Sequence, residues 1–217
     1  MKRFRKQDVF FVVLLAAMIF ILTGCSNGST DDEPELAKWS GVWNNVVEYL
    51  DEDWLQQTLE DAVETIGNNV TVAQLKTFLT TRLGTDFKSC AIDGDSITLH
   101  PNIDATGMAN RIAIAYKEKI ETTEHSGGEH SEHGEHTYWY AFEGNKNDHK
   151  YWIAMLPEHH SEEFPVVFHF RYGDSSFDAV IADTGRSPTV IRQGATQEQI
   201  KNFLTESVRY IPAAAFQ

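Results

Sequence analysis

Residues 138–173 read YWYAFEGNKNDHKYWIAMLPEHHSEEFPVVFHFRYG. Apolar and aromatic side chains alternate with other residues through 138–142, 151–155 and 166–172. A period of two is typical of β-strands that turn one face toward a core. The connections are short and turn-like, as at residues 144–148, which favours antiparallel neighbours over parallel crossovers.

The same alternation occurs earlier in the chain, at Ile97 and Leu99 and again through residues 112–116. At least five strands therefore follow one another, and we predict a small antiparallel barrel or half-barrel. Helical periodicity flanks the strands. The predicted helices cover residues 36–50, 54–66, 71–83 and 196–208.

Two of these helices begin with a capping box, in which a threonine precedes a glutamine by three residues. The pairs are Thr71 with Gln74, and Thr196 with Gln199. The fold class predicted from the sequence is mostly β with flanking helices. The aromatic residues of the strands are assigned to the core.

The chain begins with a basic segment at residues 2–6 and an apolar run at 9–22, and it reaches LTGC at 22–25. A membrane-spanning helix needs about 20 apolar residues, whereas a basic start, a short apolar run and small residues before a cysteine are typical of a lipoprotein signal peptide. An uncleaved anchor is the alternative. We expect cleavage before Cys25, whose thiol then carries the lipid.

The predicted organisation is a signal peptide at 1–24, a flexible tether at 25–35 and one domain at 36–217. Cys90 is the only other cysteine, so a lipidated Cys25 leaves no intrachain disulfide. The domain must therefore be stabilised by its core. The mature protein is expected outside the cytoplasm, anchored to the cell membrane or outer membrane without crossing it.

The chain is acidic, with 18 Lys and Arg against 32 Asp and Glu, a net charge of −14. Removal of the signal peptide leaves 14 and 31, a net charge of −17. This charge argues against a nucleic-acid partner. It also concentrates cations near the surface, although ordinary solubility explains the same composition equally well.

Residues 125–136 read HSGGEHSEHGEH, a segment with no apolar side chain. Neutral imidazole binds zinc, copper and nickel, so the composition indicates metal capture rather than a merely solvated loop or an expression tag. The segment joins two predicted strands as a hairpin tip, where ordering each residue around a metal costs about 1–2 kcal/mol. We assign a secondary, flexible metal site to its four histidines: His125, His130, His133 and His136.

A more rigid metal site is predicted from His159, His160 and His169. In the strand at 166–172, His169 shares a face with Val167, opposite the aromatic residues, and one of the two faces looks into the barrel. His159 and His160 precede that strand in a loop that can return to the barrel mouth. Three imidazoles with one open position are a common zinc arrangement. His100 and His149 are assigned structural roles.

At these residues the chain resembles the ZinT/YodA family, over roughly residues 36–206. The resemblance rests on a strand ending in Phe142-Glu143, a later motif of an acidic residue and a histidine, and a histidine-x-histidine strand followed by glycine, which corresponds to the strand with His169 and Gly173. Segments at 39–50, 71–87 and 187–190 fall in the expected order. The resemblance implies a calycin-like, lipocalin-related barrel that binds zinc, and sometimes cadmium, outside the cytoplasm and delivers it to a zinc importer.

The sequence departs from the family pattern at its ligands. His169 matches the second histidine of the family's histidine-x-histidine pair, but Val167 stands in the first position. Glu158-His159 replaces an aspartate-histidine pair, and one loop residue must be dropped to restore the spacing. His160 or a histidine of the flexible segment is available to compensate.

The sequence therefore predicts a lipid-anchored extracytoplasmic protein that scavenges zinc or delivers it to a metal ABC importer or its solute-binding protein. Cadmium, nickel and copper are further metals it could carry. One alternative is a lipocalin-like barrel around an apolar small molecule. The other is a zinc hydrolase with Glu158, Glu162 or Glu163 as general base; no helix-borne His-Glu motif or Ser-His-Asp set supports an enzyme.

Overall fold

The computed structural model describes residues 36–67, 69–122, 137–209 and 211–216. The proposed signal peptide, the tether and all four histidines of 125–136 lie outside the described residues. Within the described ranges, eight strands form a closed antiparallel barrel in which each strand pairs with the next and β8 returns to β1. The strands are β1 Gly41–Asn45, β2 Ser89–Asp93, β3 Ser96–His100, β4 Asn110–Thr122, β5 Thr137–Gly144, β6 Tyr151–Ala154, β7 Val167–Gly173 and β8 Thr189–Arg192.

Four α-helices accompany the strands in the described part of the chain: α1 Gln56–Ile66, α2 Val72–Leu83, α3 Phe177–Ala182 and α4 Gln197–Arg209. Both capping boxes form. The backbone N–H of Gln74 donates to the Thr71 hydroxyl while Thr71 N–H donates to the Gln74 side chain. Thr196 and Gln199 make the same reciprocal pair at the start of α4.

Alternation along each strand divides the core into an interior and an outer shell. The barrel interior holds mainly aromatic and branched side chains, among them Trp39, Trp43, Ile112, Phe142, Trp152, Phe168 and Phe170. The outer surface of β7 and β8 is covered by a helical layer from α1, α2 and α4. A smaller outer cluster, under α3, contains Trp139, Ala141, Ile153 and Val180.

One helix prediction is wrong. Residues 36–50 form two short 3-10 turns, Leu36–Trp39 and Val46–Tyr49, on either side of strand β1. Gly41 has a φ of 135°, which is outside the helical region and opens the strand. Trp43 then points into the barrel while Val46 packs in the helical layer, so their helix-like spacing reflects burial on two sides of one extended segment.

The barrel has two distinct ends. The last residue of β4, Thr122, the first residue of β5, Thr137, and the loop between β6 and β7 lie at the same end, because β6 runs antiparallel to β5. We call this the hairpin end. The connections after β3, β5 and β7 lie at the opposite end, which we call the far end. None of the helices in the described ranges is long and apolar enough to cross a membrane.

Candidate metal centre

Strand β7 turns His169 to the outside of the barrel. Phe168 and Phe170 fill the interior, so the alternate residues Val167, His169 and Arg171 face outward. The sequence did not determine which face of this strand looks into the barrel. In the structure, His169 lies on the outer face. His169 is half-buried on this face, and a metal bound to it would lie beside the barrel wall rather than in the lumen.

The His169 ring is held by the neighbouring strand. Its Nδ1 lies 2.8 Å from the Thr189 hydroxyl, and Thr189 pairs directly with His169 across β7 and β8. Burial, followed by the charges of His160 and Arg171, lowers the pKa of His169 to about 4. The ring is therefore neutral at pH 7, the state in which imidazole binds metals.

His160 is the second predicted ligand that the structure brings to this face. It is exposed in the β6–β7 loop, near enough for its charge to lower the pKa of His169. Its Nε2 lies 3.3 Å from Glu158 Oε2. In the sequence analysis Glu158 was one of the possible catalytic bases. In the structure its carboxylate lies beside His160, a candidate metal ligand.

The start of the β6–β7 loop continues to pair with β7, but with an irregular register. Ala154 lies opposite Phe170, and Glu158 forms an isolated antiparallel bridge with Val167. Four steps along one chain thus match three along the other, which is the count of a β-bulge. Because of this extra residue, Glu158 rather than Pro157 lies opposite Val167.

The third predicted ligand, His159, is exposed in the same loop. Across the described residues, no group of three or more His, Cys, Asp or Glu side chains lies close enough together to hold a metal ion. His169 and His160, with Glu158 beside them, therefore make a partial donor set. Val167, where the family pattern has a histidine, is 2% exposed and packs in the helical layer.

A second polar cluster occupies the far end. His149 Nε2 lies 3.1 Å from Asp86 Oδ2, and the Tyr172 hydroxyl donates to Asp86 Oδ1 at 2.6 Å. The imidazole stacks on Tyr172, with ring centroids 5.1 Å apart. His149 thus has the structural role expected from the sequence. His100 is also buried near this end, and its Nδ1 has no hydrogen-bond partner among the described residues.

The barrel interior is nearly filled. The apolar cavity between Trp39, Cys90, Trp152 and Phe168 measures about 20 Å³, which is room for about one water molecule. This volume argues against an apolar small-molecule ligand in the lumen. Burial raises the pKa of the Cys90 thiol in its wall to about 12, so the thiol is not a metal-binding thiolate at neutral pH.

A family model described as ZinT (YodA) periplasmic lipocalin-like zinc-recruitment matches residues 21–206. The chain belongs to the ZinT family. The lipocalin-like barrel and the family resemblance predicted from the sequence are thereby confirmed. No curated protein matches the chain.

Solved structures agree with this ZinT fold. The chain is similar to the Zn(II)-bound ZinT-like domain of Streptococcus pneumoniae AdcA, with 17% identity and a TM-score of 0.56, over 83% of this chain and 94% of that chain. It is also similar to Zn(II)-bound AdcA from the same organism, with 16% identity and a TM-score of 0.56, over 83% of this chain and 36% of that one. At such low identity the likeness shows the fold.

The sequence did not identify Thr189 or Asp86 as partners of histidines. Each lies far along the chain from its partner, and only the strand register or the loop geometry brings them together. A threonine in a short strand and an aspartate in a loop carry no motif that would have indicated these contacts.

Proposed function

We propose that this ZinT-family protein is a lipid-anchored zinc-binding protein outside the cytoplasm, which scavenges zinc or delivers it to a metal ABC importer or its solute-binding protein. The observation that carries the proposal is His169: a neutral, half-buried imidazole fixed through Nδ1, with His160 nearby. A histidine held through one nitrogen presents the other to a metal.

The donor set within the described residues is partial, and we propose that other side chains of the β6–β7 loop complete it. His159 and Glu158 are in the same loop as His160. The segment with His125, His130, His133 and His136 is joined to β4 and β5 at the hairpin end, which also carries the β6–β7 loop. We propose that its imidazoles form a second, weaker metal site.

The family is one of zinc recruitment, and this favours binding over catalysis. Of the proposed catalytic bases, Glu158 pairs with His160, and Glu162 and Glu163 are exposed in the β6–β7 loop. Cadmium, nickel and copper are alternative cargoes, since the same nitrogen donors suit them.

Calorimetric zinc titration of the mature protein tests the proposal. The parent should lack residues 127–135, which removes His130 and His133 and so reduces zinc binding by that segment. His169→Ala in that parent should abolish tight zinc binding, whereas His149→Gln, at the far end, should leave it intact. Equal affinity in the His169→Ala variant and its parent would show that zinc binds elsewhere.

A further inference from the structure

We propose that Thr189 is a positioning residue for zinc: its hydroxyl fixes His169 in the tautomer that carries the proton on Nδ1 and presents the Nε2 lone pair to the metal. The inference rests on the proposed function, because it concerns the same site. It assigns a specific task to a fully buried polar residue of β8.

The argument begins with the single proton of the threonine hydroxyl. Thr189 Oγ1 donates to the Ser187 carbonyl at 2.8 Å and lies 2.8 Å from His169 Nδ1. Because that proton is directed to Ser187, the oxygen can only accept from the ring. Nδ1 is therefore the protonated nitrogen, and Nε2 carries the lone pair.

The opposite tautomer would leave a polar atom unpaired. With a lone pair on Nδ1, the ring nitrogen and the Ser187 carbonyl would both need the one hydroxyl proton. Thr189 is completely buried, and its hydrogen bonds to Ser187 and His169 are partly buried. An acceptor that loses its partner in such surroundings is destabilising, and this cost favours the Nδ1–H form.

Backbone hydrogen bonds hold the chain in place on both sides of the Thr189–His169 contact. Ser187 N–H donates to the carbonyl of Arg82 in α2 at 2.7 Å, and Phe170 N–H donates to the Pro188 carbonyl at 3.0 Å. The Thr189 side chain is β-branched, which restricts its rotation about χ1. The hydroxyl thus has a fixed direction, and the imidazole that donates to it is oriented with it. Partners of this kind fix the tautomer and orientation of metal-binding histidines.

The experiment uses the full mature chain with ¹⁵N-labelled histidine. Two-bond ¹H–¹⁵N correlations distinguish the two ring nitrogens, and the His169 signals are those missing from His169→Ala. Without metal, the wild-type protein should show the Nδ1–H tautomer. Sub-stoichiometric zinc should then shift the Nε2 signal of this ring, which reports on this site even with the loop histidines present.

Three variants isolate the hydroxyl. Thr189→Val removes the acceptor at nearly constant volume and should populate the other tautomer and weaken zinc binding at His169 by about 10–100-fold. Thr189→Ser should restore both properties. Thr98→Val, in strand β3, is the matched control and should change neither.

The outcomes separate the two proposals. A wild-type ring protonated on Nε2 overturns the role of Thr189 even if the valine variant does not fold. So does equal zinc affinity in the wild type and Thr189→Val, or a serine variant that behaves like valine. If zinc leaves the His169 signals of the wild type unchanged, the proposed function itself fails, and the positioning role with it.

Discussion

Val167 and His169 lie two residues apart on the same outer face of β7, but only His169 has a polar partner. Val167 is 2% exposed and pairs with Ile191 beneath the helical layer. His169 bonds to Thr189 and lies near His160. The position at which the family resemblance led us to expect a histidine is thus part of the hydrophobic core in this chain.

This difference predicts the effect of Val167→His. Without metal, the variant should lose about 1–3 kcal/mol of its free energy of unfolding, because an imidazole without a partner replaces a packed apolar side chain. With zinc, the new nitrogen lies beside His169 and opposite Glu158, so zinc affinity should rise. Thermal unfolding with and without zinc measures both effects.

Val167→Ala is the control for this variant. It leaves a cavity in the same layer and should also be destabilised, but it adds no ligand and should recover nothing when zinc is added. If both variants respond to zinc alike, the position opposite Glu158 does not contribute to the site.

A second prediction concerns the segment of four histidines. Deleting residues 127–135 should lower the zinc stoichiometry and leave the tightest site in place, because the site on β7 does not depend on that segment for its fold. Calorimetry gives the stoichiometry, and a thermal melt tests the fold. Unchanged stoichiometry would show that the segment is solvated surface. A large fall in melting temperature would show that it packs against the barrel.

The sequence predicted the strands within 138–173 because their alternation is local and each strand has one apolar face. It did not predict β1, β2 or β8. β8, Thr189–Arg192, is four residues long, and three of these are buried because it lies between the barrel interior and the helical layer. Alternation disappears in a strand that is buried on both faces.

The site was predictable only in part, for a similar reason. His169 was proposed from its strand phase and the family resemblance, and His160 from its place in the preceding loop. Their partners depend on tertiary contacts: Thr189 is 20 residues from His169, and Glu158 reaches Val167 through a bulge. The outward direction of His169 also depends on which face packs the aromatic residues, which the strand period alone does not determine.

A third prediction concerns the N-terminus. Replacing Cys25 by alanine should release the protein from membranes or block its processing, because LTGC at 22–25 is typical of a lipoprotein signal and we propose that the Cys25 thiol carries the lipid. Mass spectrometry of the wild-type N-terminus decides the question. Cys90→Ala is the matched control and should leave membrane association unchanged. An unmodified Met1, or cleavage at another position, would contradict the lipoprotein assignment.

The last prediction concerns the pH dependence of stability at the far end. The hydrogen bond with Asp86 raises the pKa of His149, and the same bond lowers the pKa of Asp86. The contribution of His149 to the free energy of unfolding is complete below about pH 6.5, the ordinary pKa of histidine. It is lost as the pH rises through the raised pKa. The contribution of Asp86 is complete above about pH 3.9 and is lost as the pH falls through the lowered pKa.

The pair should therefore stabilise the fold most between about pH 4 and 6.5. Asp86→Asn removes the charge but keeps an acceptor for the Tyr172 hydroxyl, so it isolates the ion pair. Since Asp86 is more than half exposed, solvent screening limits the expected loss to about 0.5–1 kcal/mol at pH 5.5. Urea unfolding at about pH 5.5 and about pH 9 should show that this loss shrinks as the pH rises through the raised pKa of His149. Asp95→Asn, in an exposed turn, is the control and should show no such trend. If Asp86→Asn lowers the free energy of unfolding equally at both pH values, the contact is a neutral hydrogen bond rather than an ion pair.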